Sequence, residues 1–246
     1  METKLIKGLN QVQSKYDAFF IDLWGVIHNG IKLYPGAIEV LENLNKLNKI
    51  FLKNIFTSGE AALQSLQKNI YGKNFYHLGP ERDVSLFEGF ENNRKNLEDA
   101  DFILCTGFLD SHKDSLDYYK DLLKQYTQLK MVCTNPDLVV HRGSKTEYCA
   151  GSVAVTFEKL GGKVIYFGKP YPEIYNFCIK KNETTLAIGD NIRTDIRGAN
   201  KMKLDSLLII DGIHKKEFLN LAAENYDEVL KKYKTKTNYY QERLSW

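Results

Sequence analysis

The chain is patterned as short apolar runs that alternate with stretches of helical spacing, and each run ends in a polar or glycine-containing turn. The first run, residues 16–26 (YDAFFIDLWGV), is rich in aromatics and closed by glycine, which reads as a buried strand rather than a helix and sets Asp22 at the strand's carboxyl end. After the turn signals Asn29-Gly30 and Pro35-Gly36, the positions Ile38, Leu41, Leu44 and Leu47 recur at helical spacing. Residues 50–57 (IFLKNIFT) then read as a second strand. A strand-helix-strand connection crosses over right-handed, so this strand should lie parallel to the first, with its end near Asp22.

Further along, residues 102–106 (FILCT) and 131–134 (MVCT) predict strands separated by a helix over 116–126, a second α/β set expected to form a separate layer. Residues 149–162 predict a helix stopped by a glycine pair, and 163–168 (KVIYFG) a strand leading into Lys169-Pro170. A helix over 173–181 and strands over 184–190 (TTLAIGD) and 205–211 (DSLLIID) follow. The last thirty or so residues place Phe218, Leu221, Val229 and Leu230 among lysines and glutamates, which predicts an amphipathic helix with a solvated face. The fold class expected is α/β with a parallel sheet.

Composition adds limits. With 246 residues, 43% of them hydrophobic, the chain can bury a core of one large domain or two small ones. Its 34 basic and 31 acidic residues nearly cancel to +3, which gives no field that favours nucleic acid. Residues 1–15 lack an apolar signal core and no run is long enough to span a bilayer, so no membrane partner and a cytoplasmic location are expected. Cys105, Cys133, Cys149 and Cys178 lack metal or disulfide spacing and read as packing thiols. The five histidines lack zinc spacing, and no G-x-S-x-G, G-x-G-x-x-G or P-loop motif is present.

Ligand sites of doubly wound sheets lie at the carboxyl ends of the strands, so polar residues just after apolar runs carry the candidate chemistry. Those residues are Asp22, Thr57 and Ser58, Lys169, and Asp190 with Asp195 in GDNIRTD. An aspartate can attack phosphorus or carbon to form a covalent intermediate. A lysine and a divalent cation held by further carboxylates would offset the repulsion between that aspartate and a phosphate.

Together and in order, DLWGVIHNG, YPGA, TSGEA, CTNPD, YCAG, LGGKVIYFGKP, GDNIRTDIRGAN and ERLSW resemble the class IIA (NagD-like) branch of the haloacid dehalogenase (HAD) superfamily, in a subgroup with D-x-W-G-V. The resemblance covers nearly the whole chain. It implies a Rossmann-like HAD core over 1–57 and 166–246, an inserted C2-type α/β cap over 58–165, and Mg²⁺-dependent hydrolysis of a small phosphorylated metabolite. By the same resemblance Asp22 is the nucleophile and Lys169 the phosphate-binding lysine. Mg²⁺ is assigned to Asp22, the Trp24 main-chain carbonyl and Asp190, with Asp195 as a metal-supporting acid. Asn191 falls on the phosphate side of the site, and Asn135 and Asp137 in the cap help enclose substrate, or equally serve a strand-end turn. Members of the branch often dimerise through the cap, which keeps a homodimer open.

Two departures qualify this expectation. Most phosphatases of the superfamily carry a general-acid aspartate two residues after the nucleophile, where this chain has Trp24. The superfamily's dehalogenases also have an aromatic residue there, so a dehalogenase, or a phosphate-binding protein with weak turnover, remains an alternative. The segment between the first predicted helix and TSGEA is also shortened to one strand, which suggests that Thr57 or Ser58 takes over phosphate hydrogen bonding.

Overall fold

The computed structural model describes residues 3–49, 58–113, 115–142 and 145–246. In chain order the first elements are β1 (Lys4–Leu5), β2 (Ala18–Ile21), α1 (Pro35–Lys46), α2 (Ser58–Gln67), β3 (Phe75–Leu78), β4 (Phe102–Cys105), α3 (Leu116–Leu123), β5 (Lys130–Cys133), β6 (Val139–Arg142) and β7 (Lys145–Tyr148). They are followed by α4 (Ala150–Lys159), β8 (Lys163–Tyr166), α5 (Pro172–Cys178), β9 (Thr185–Gly189), α6 (Arg197–Met202), β10 (Asp205–Ile209), α7 (Lys215–Phe218), α8 (Tyr226–Lys232) and β11 (Tyr239–Gln241). The strand expected at 50–57 lies outside the described residues. No helix among the described residues is long and apolar enough to cross a membrane.

The chain divides into two compact units. The first comprises Met1–Ile55, His141–Lys145 and Cys178–Trp246; the second comprises Phe56–Val140 and Thr146–Phe177. Residues 166–177, with Lys169, therefore go with the second unit, whereas the sequence division set them in the core.

In the first unit five parallel strands stand in the order β1-β11-β10-β9-β2. Both faces are covered, and the period-2 alternation of a strand distributes neighbours between them. Leu207 and Ile209 pack with Leu9, Val40, Leu44, Phe19 and Ile188 on one face. Leu208 packs with Ile192, Ile196, Phe218 and Val229 on the other. Helix α1 opens on Pro35, whose missing N–H costs nothing in a first turn, and buries Ala37, Val40 and Leu44.

The C-terminal stretch differs from its predicted form. Instead of one amphipathic helix, α8 ends at Lys232 and β11 runs between β1 and β10 as an interior strand. Tyr239, Tyr240 and Gln241 are all buried. Burial of consecutive residues suits a strand covered on both faces, and an amphipathic helix would have turned part of the run to solvent.

The second unit holds a parallel sheet in the order β3-β4-β5-β8, with β6 and β7 paired separately. Ile103, Cys105, Met131 and Cys133 face α3 and α4, where Tyr119, Leu123, Val153 and Phe157 complete one core. Phe102, Leu104 and Val132 face a second core with Ala62, Leu66 and Phe75. Burial pushes the Cys133 and Cys149 thiols up to about 12, in keeping with packing rather than reactive cysteines.

A buried histidine makes this unit acid-sensitive. His77 is 3% exposed; its Nε2 shares a hydrogen bond with Thr106 Oγ1 at 2.9 Å, and its Nδ1 has no hydrogen-bond partner among the described residues. Burial, and then the positive charge of Arg94, lowers the imidazole from 6.5 to about 4. Between those values the unfolded chain binds the proton more tightly than the folded chain does, so stability falls as pH drops from 6.5 toward 4 and levels off above 6.5. Urea unfolding across that window should show the slope, and His77→Gln should remove the part of it due to this residue.

Candidate active site

The site is assembled by the strand ends of the first unit. Ile21 of β2 is in register with Ile188 of β9, and Leu208 of β10 with Gly189. Asp22 and Asp190 are therefore the first residues beyond the carboxyl ends of two neighbouring parallel strands, and the Asp22 N–H donates to the Ile188 carbonyl at 2.9 Å. Asp195 comes in on a π-helical turn, Ile192–Ile196, that begins directly after the Asp190-Asn191 pair. Single π turns recur at functional sites because the extra residue re-aims a side chain.

One carboxylate oxygen from each of Asp22, Asp190 and Asp195 lies within 4.8 Å of the other two. Asp190 and Asp195 are buried and Asp22 is half-buried. Each buried carboxylate is also tied to the backbone. Asp190 Oδ2 accepts from the Ile213 N–H at 2.8 Å, and Asp195 Oδ2 from the Asn191 N–H at 3.0 Å. Like charges this close repel by roughly 3 kcal/mol per pair at an effective dielectric near 20. An all-oxygen, multiply anionic donor set of this kind is compatible with a hard divalent cation.

Glycines make room for the carboxylates. A Cβ at Gly25 or at Gly212 would overlap the Asp190 side chain, and one at Gly189 would overlap that of Asp195. Gly25 also has φ +87°, a backbone conformation that side chains of L-residues resist. The Trp24-Gly25 backbone therefore passes directly against Asp190, and the Trp24 ring packs edge-on to His28 at 5.3 Å between centroids. Gly30, with φ +82°, lies where a Cβ would strike that indole.

The remaining predicted residues are distributed differently. Asn191 turns its side chain inward on the backbone: Oδ1 accepts from the Arg193 N–H at 2.9 Å and caps the π turn. Lys169 follows β8 at the carboxyl end of the second unit's sheet. Asn135 and Asp137 follow β5 in that same unit, where Asn135 Oδ1 accepts from the Asp137 N–H at 3.0 Å. Thr57 lies outside the described residues, and Ser58 is described only as the first residue of α2.

Two groups near the aspartates escaped the sequence reading. Asp211, past the end of β10, pairs with Lys215 and with Arg243 of the C-terminal tail. Although burial opposes it, hydrogen bonds from Lys215 and Arg243 hold the Asp211 carboxyl below its ordinary value. Burial, then the charges of Asp190 and Asp211, holds the Tyr34 phenol above its ordinary value. The second group is His214, three residues beyond Asp211. The rule that flagged Asp190, polar residues just past an apolar strand, applied equally to DSLLIIDGIH.

Comparison with known proteins agrees with this geometry. Residues 166–235 match the family model described as HAD-hydrolase-like. The chain is 33% identical over 89 residues to the ribonucleotide monophosphatase NagD of Escherichia coli (strain K12), a match covering 34% of each chain, so it spans about a third of that relative's length. Among solved structures, a haloacid dehalogenase-like hydrolase from Brucella suis 1330 superposes with a TM-score of 0.83 at 24% identity, over 98% of this chain and 100% of the other. A p-nitrophenyl phosphatase from Archaeoglobus fulgidus superposes with a TM-score of 0.74 at 16% identity, over 93% and 96%. With aspartates gathered at adjacent strand ends, residues 166–235 carry a HAD-hydrolase-like pattern, and the chain shares the fold of a haloacid dehalogenase-like hydrolase.

Proposed function

We propose that the chain is a Mg²⁺-dependent phosphatase that hydrolyses a small phosphomonoester through an aspartyl-phosphate on Asp22. The observation that carries this reading is the convergence of Asp22, Asp190 and Asp195 within 4.8 Å at the carboxyl ends of parallel strands. Asp22, Asp190 and the Trp24 carbonyl would hold the cation, with Asp195 supporting it. When bound, Mg²⁺ neutralises carboxylate and phosphoryl charge, so that an anionic nucleophile can approach an anionic ester. An Asp22 carboxylate oxygen bonds to phosphorus as the ester oxygen leaves with its electron pair and takes a proton from solvent. Water then attacks the aspartyl-phosphate at phosphorus, which releases inorganic phosphate and restores Asp22. The second unit would act as a cap, with Lys169 steadying the phosphate and Asn135 and Asp137 enclosing the substrate. Thr57 or Ser58 would donate further hydrogen bonds. The reading takes the protein to be cytoplasmic and leaves a homodimer open.

Trp24 sharpens the test. With no carboxylic acid at that position to protonate the leaving group, aryl and acyl phosphates should turn over far faster than sugar phosphates. Positioned acid-base catalysis contributes about 10²- to 10⁴-fold, and Trp24→Asp should narrow the gap by part of that factor. A phosphoester panel measured with and without Mg²⁺ checks both points; equal rates for both ester classes would remove the missing-acid account. The same tryptophan favours a second reading, a phosphate-binding protein with weak turnover. Mg²⁺-dependent calorimetric binding of a phosphometabolite without product would support it. Halide release independent of Mg²⁺ would instead identify a dehalogenase.

A further inference from the structure

The loop after β9 is fastened to the loop after β10 by more than the Ile213–Asp190 hydrogen bond. His214, 8% exposed, places its Nε2 3.4 Å from Asn191 Oδ1. Its Nδ1 lies 2.6 Å from Glu217 Oε1 on α7. The Tyr233 hydroxyl, just past α8, donates to that same Glu217 oxygen at 2.7 Å. The Tyr233 ring meets His214 edge-on at 5.2 Å, and the Arg193 guanidinium lies over it at 5.3 Å. The circuit thus leaves the π turn at Asn191, runs through His214, Glu217 and Tyr233, and returns at Arg193.

The hydrolytic steps above use none of these side chains, yet the circuit encloses the turn that delivers Asp195 to Asp190. Asn191 links the two: its Oδ1 faces His214 and its N–H holds Asp195 Oδ2. We propose that His214 is a positioning residue, which fixes the Asn191 side chain and thereby holds Asp190 and Asp195 at cation-binding separation. Groups one step removed from a metal commonly set affinity in this way, because they hold the ligands in the bound geometry before the ion arrives. Glu217 and Tyr233 in turn hold the imidazole, since a side chain pinned at one nitrogen alone can still rotate. The inference rests on the metal-dependent reading of the aspartate cluster and assigns that cluster its support.

Calorimetric titration of Mg²⁺ into the full chain tests it without reference to catalysis. Wild type should bind, His214→Ala should bind about 10- to 100-fold more weakly, and its circular dichroism and melting in EDTA should stay close to wild type. Glu217→Gln keeps an acceptor oxygen for both His214 and Tyr233 and should retain affinity better than Glu217→Ala. Wild-type affinity in a folded His214→Ala variant overturns the proposal alone. Absence of Mg²⁺ binding in wild type overturns both the proposal and the metal reading beneath it. If His214→Ala does not fold, Tyr233→Phe, which removes one hydroxyl, carries the test, with weakened binding expected and unchanged binding decisive against.

Discussion

Asp22→Asn should lower phosphoester hydrolysis by about four to six orders of magnitude, as loss of a covalent nucleophile does in other hydrolases. The amide has nearly the shape of the carboxylate but cannot form the bond to phosphorus, so the loss falls on the chemical step. The same substitution removes one of three negative charges held within 4.8 Å of each other. In EDTA, where that repulsion is not offset, the variant should melt at or above the wild-type temperature. Loss of rate with no loss of stability separates a nucleophile from a residue that merely supports the fold. A folded variant within tenfold of the wild-type rate would mean that Asp22 is not the attacking group.

Gly25→Ala should have the second-largest effect, through a different cause. The residue sits at φ +87°, and an added methyl would occupy the space of the Asp190 carboxylate. The backbone strain costs about 1–3 kcal/mol, and displacement of Asp190 should weaken Mg²⁺ binding by about tenfold or more. Gly89 supplies the control, because it has φ +88° with nothing among the described residues within 4 Å of an added Cβ. Gly89→Ala incurs the strain without the collision. Urea unfolding and Mg²⁺ titration of both variants separate the two effects. If Gly25→Ala binds Mg²⁺ like Gly89→Ala, the glycines leave room without shaping the site.

Much of the fold was legible in local pattern. Strands β2, β4, β5, β8, β9 and β10 fall where short apolar runs predicted them, because buried parallel strands have no polar face to interrupt the run. Helices α1, α3, α4 and α5 follow their helical spacing and turn residues. The strands β1, β3, β6, β7 and β11 were missed. β1 is only two residues long, and β11 carries tyrosines beside a lysine-rich stretch, so no clear periodicity marks either.

The sequence by itself determined which groups stand at strand ends, because alternation and turn residues are local properties read within about ten residues. That was enough to single out Asp22, Asp190 and Asp195. Tertiary structure decided what surrounds them. Gly25, Gly189 and Gly212 receive the carboxylates, and Asn191 turns to the backbone instead of outward. His214, Glu217 and Tyr233 close around the π turn. These contacts join residues such as Gly25 and Asp190 that are far apart in the chain, and only the parallel register of β2, β9 and β10 brings them together. A local pattern states that a side chain is polar and near a strand end; which partner it meets follows from the packing of distant segments.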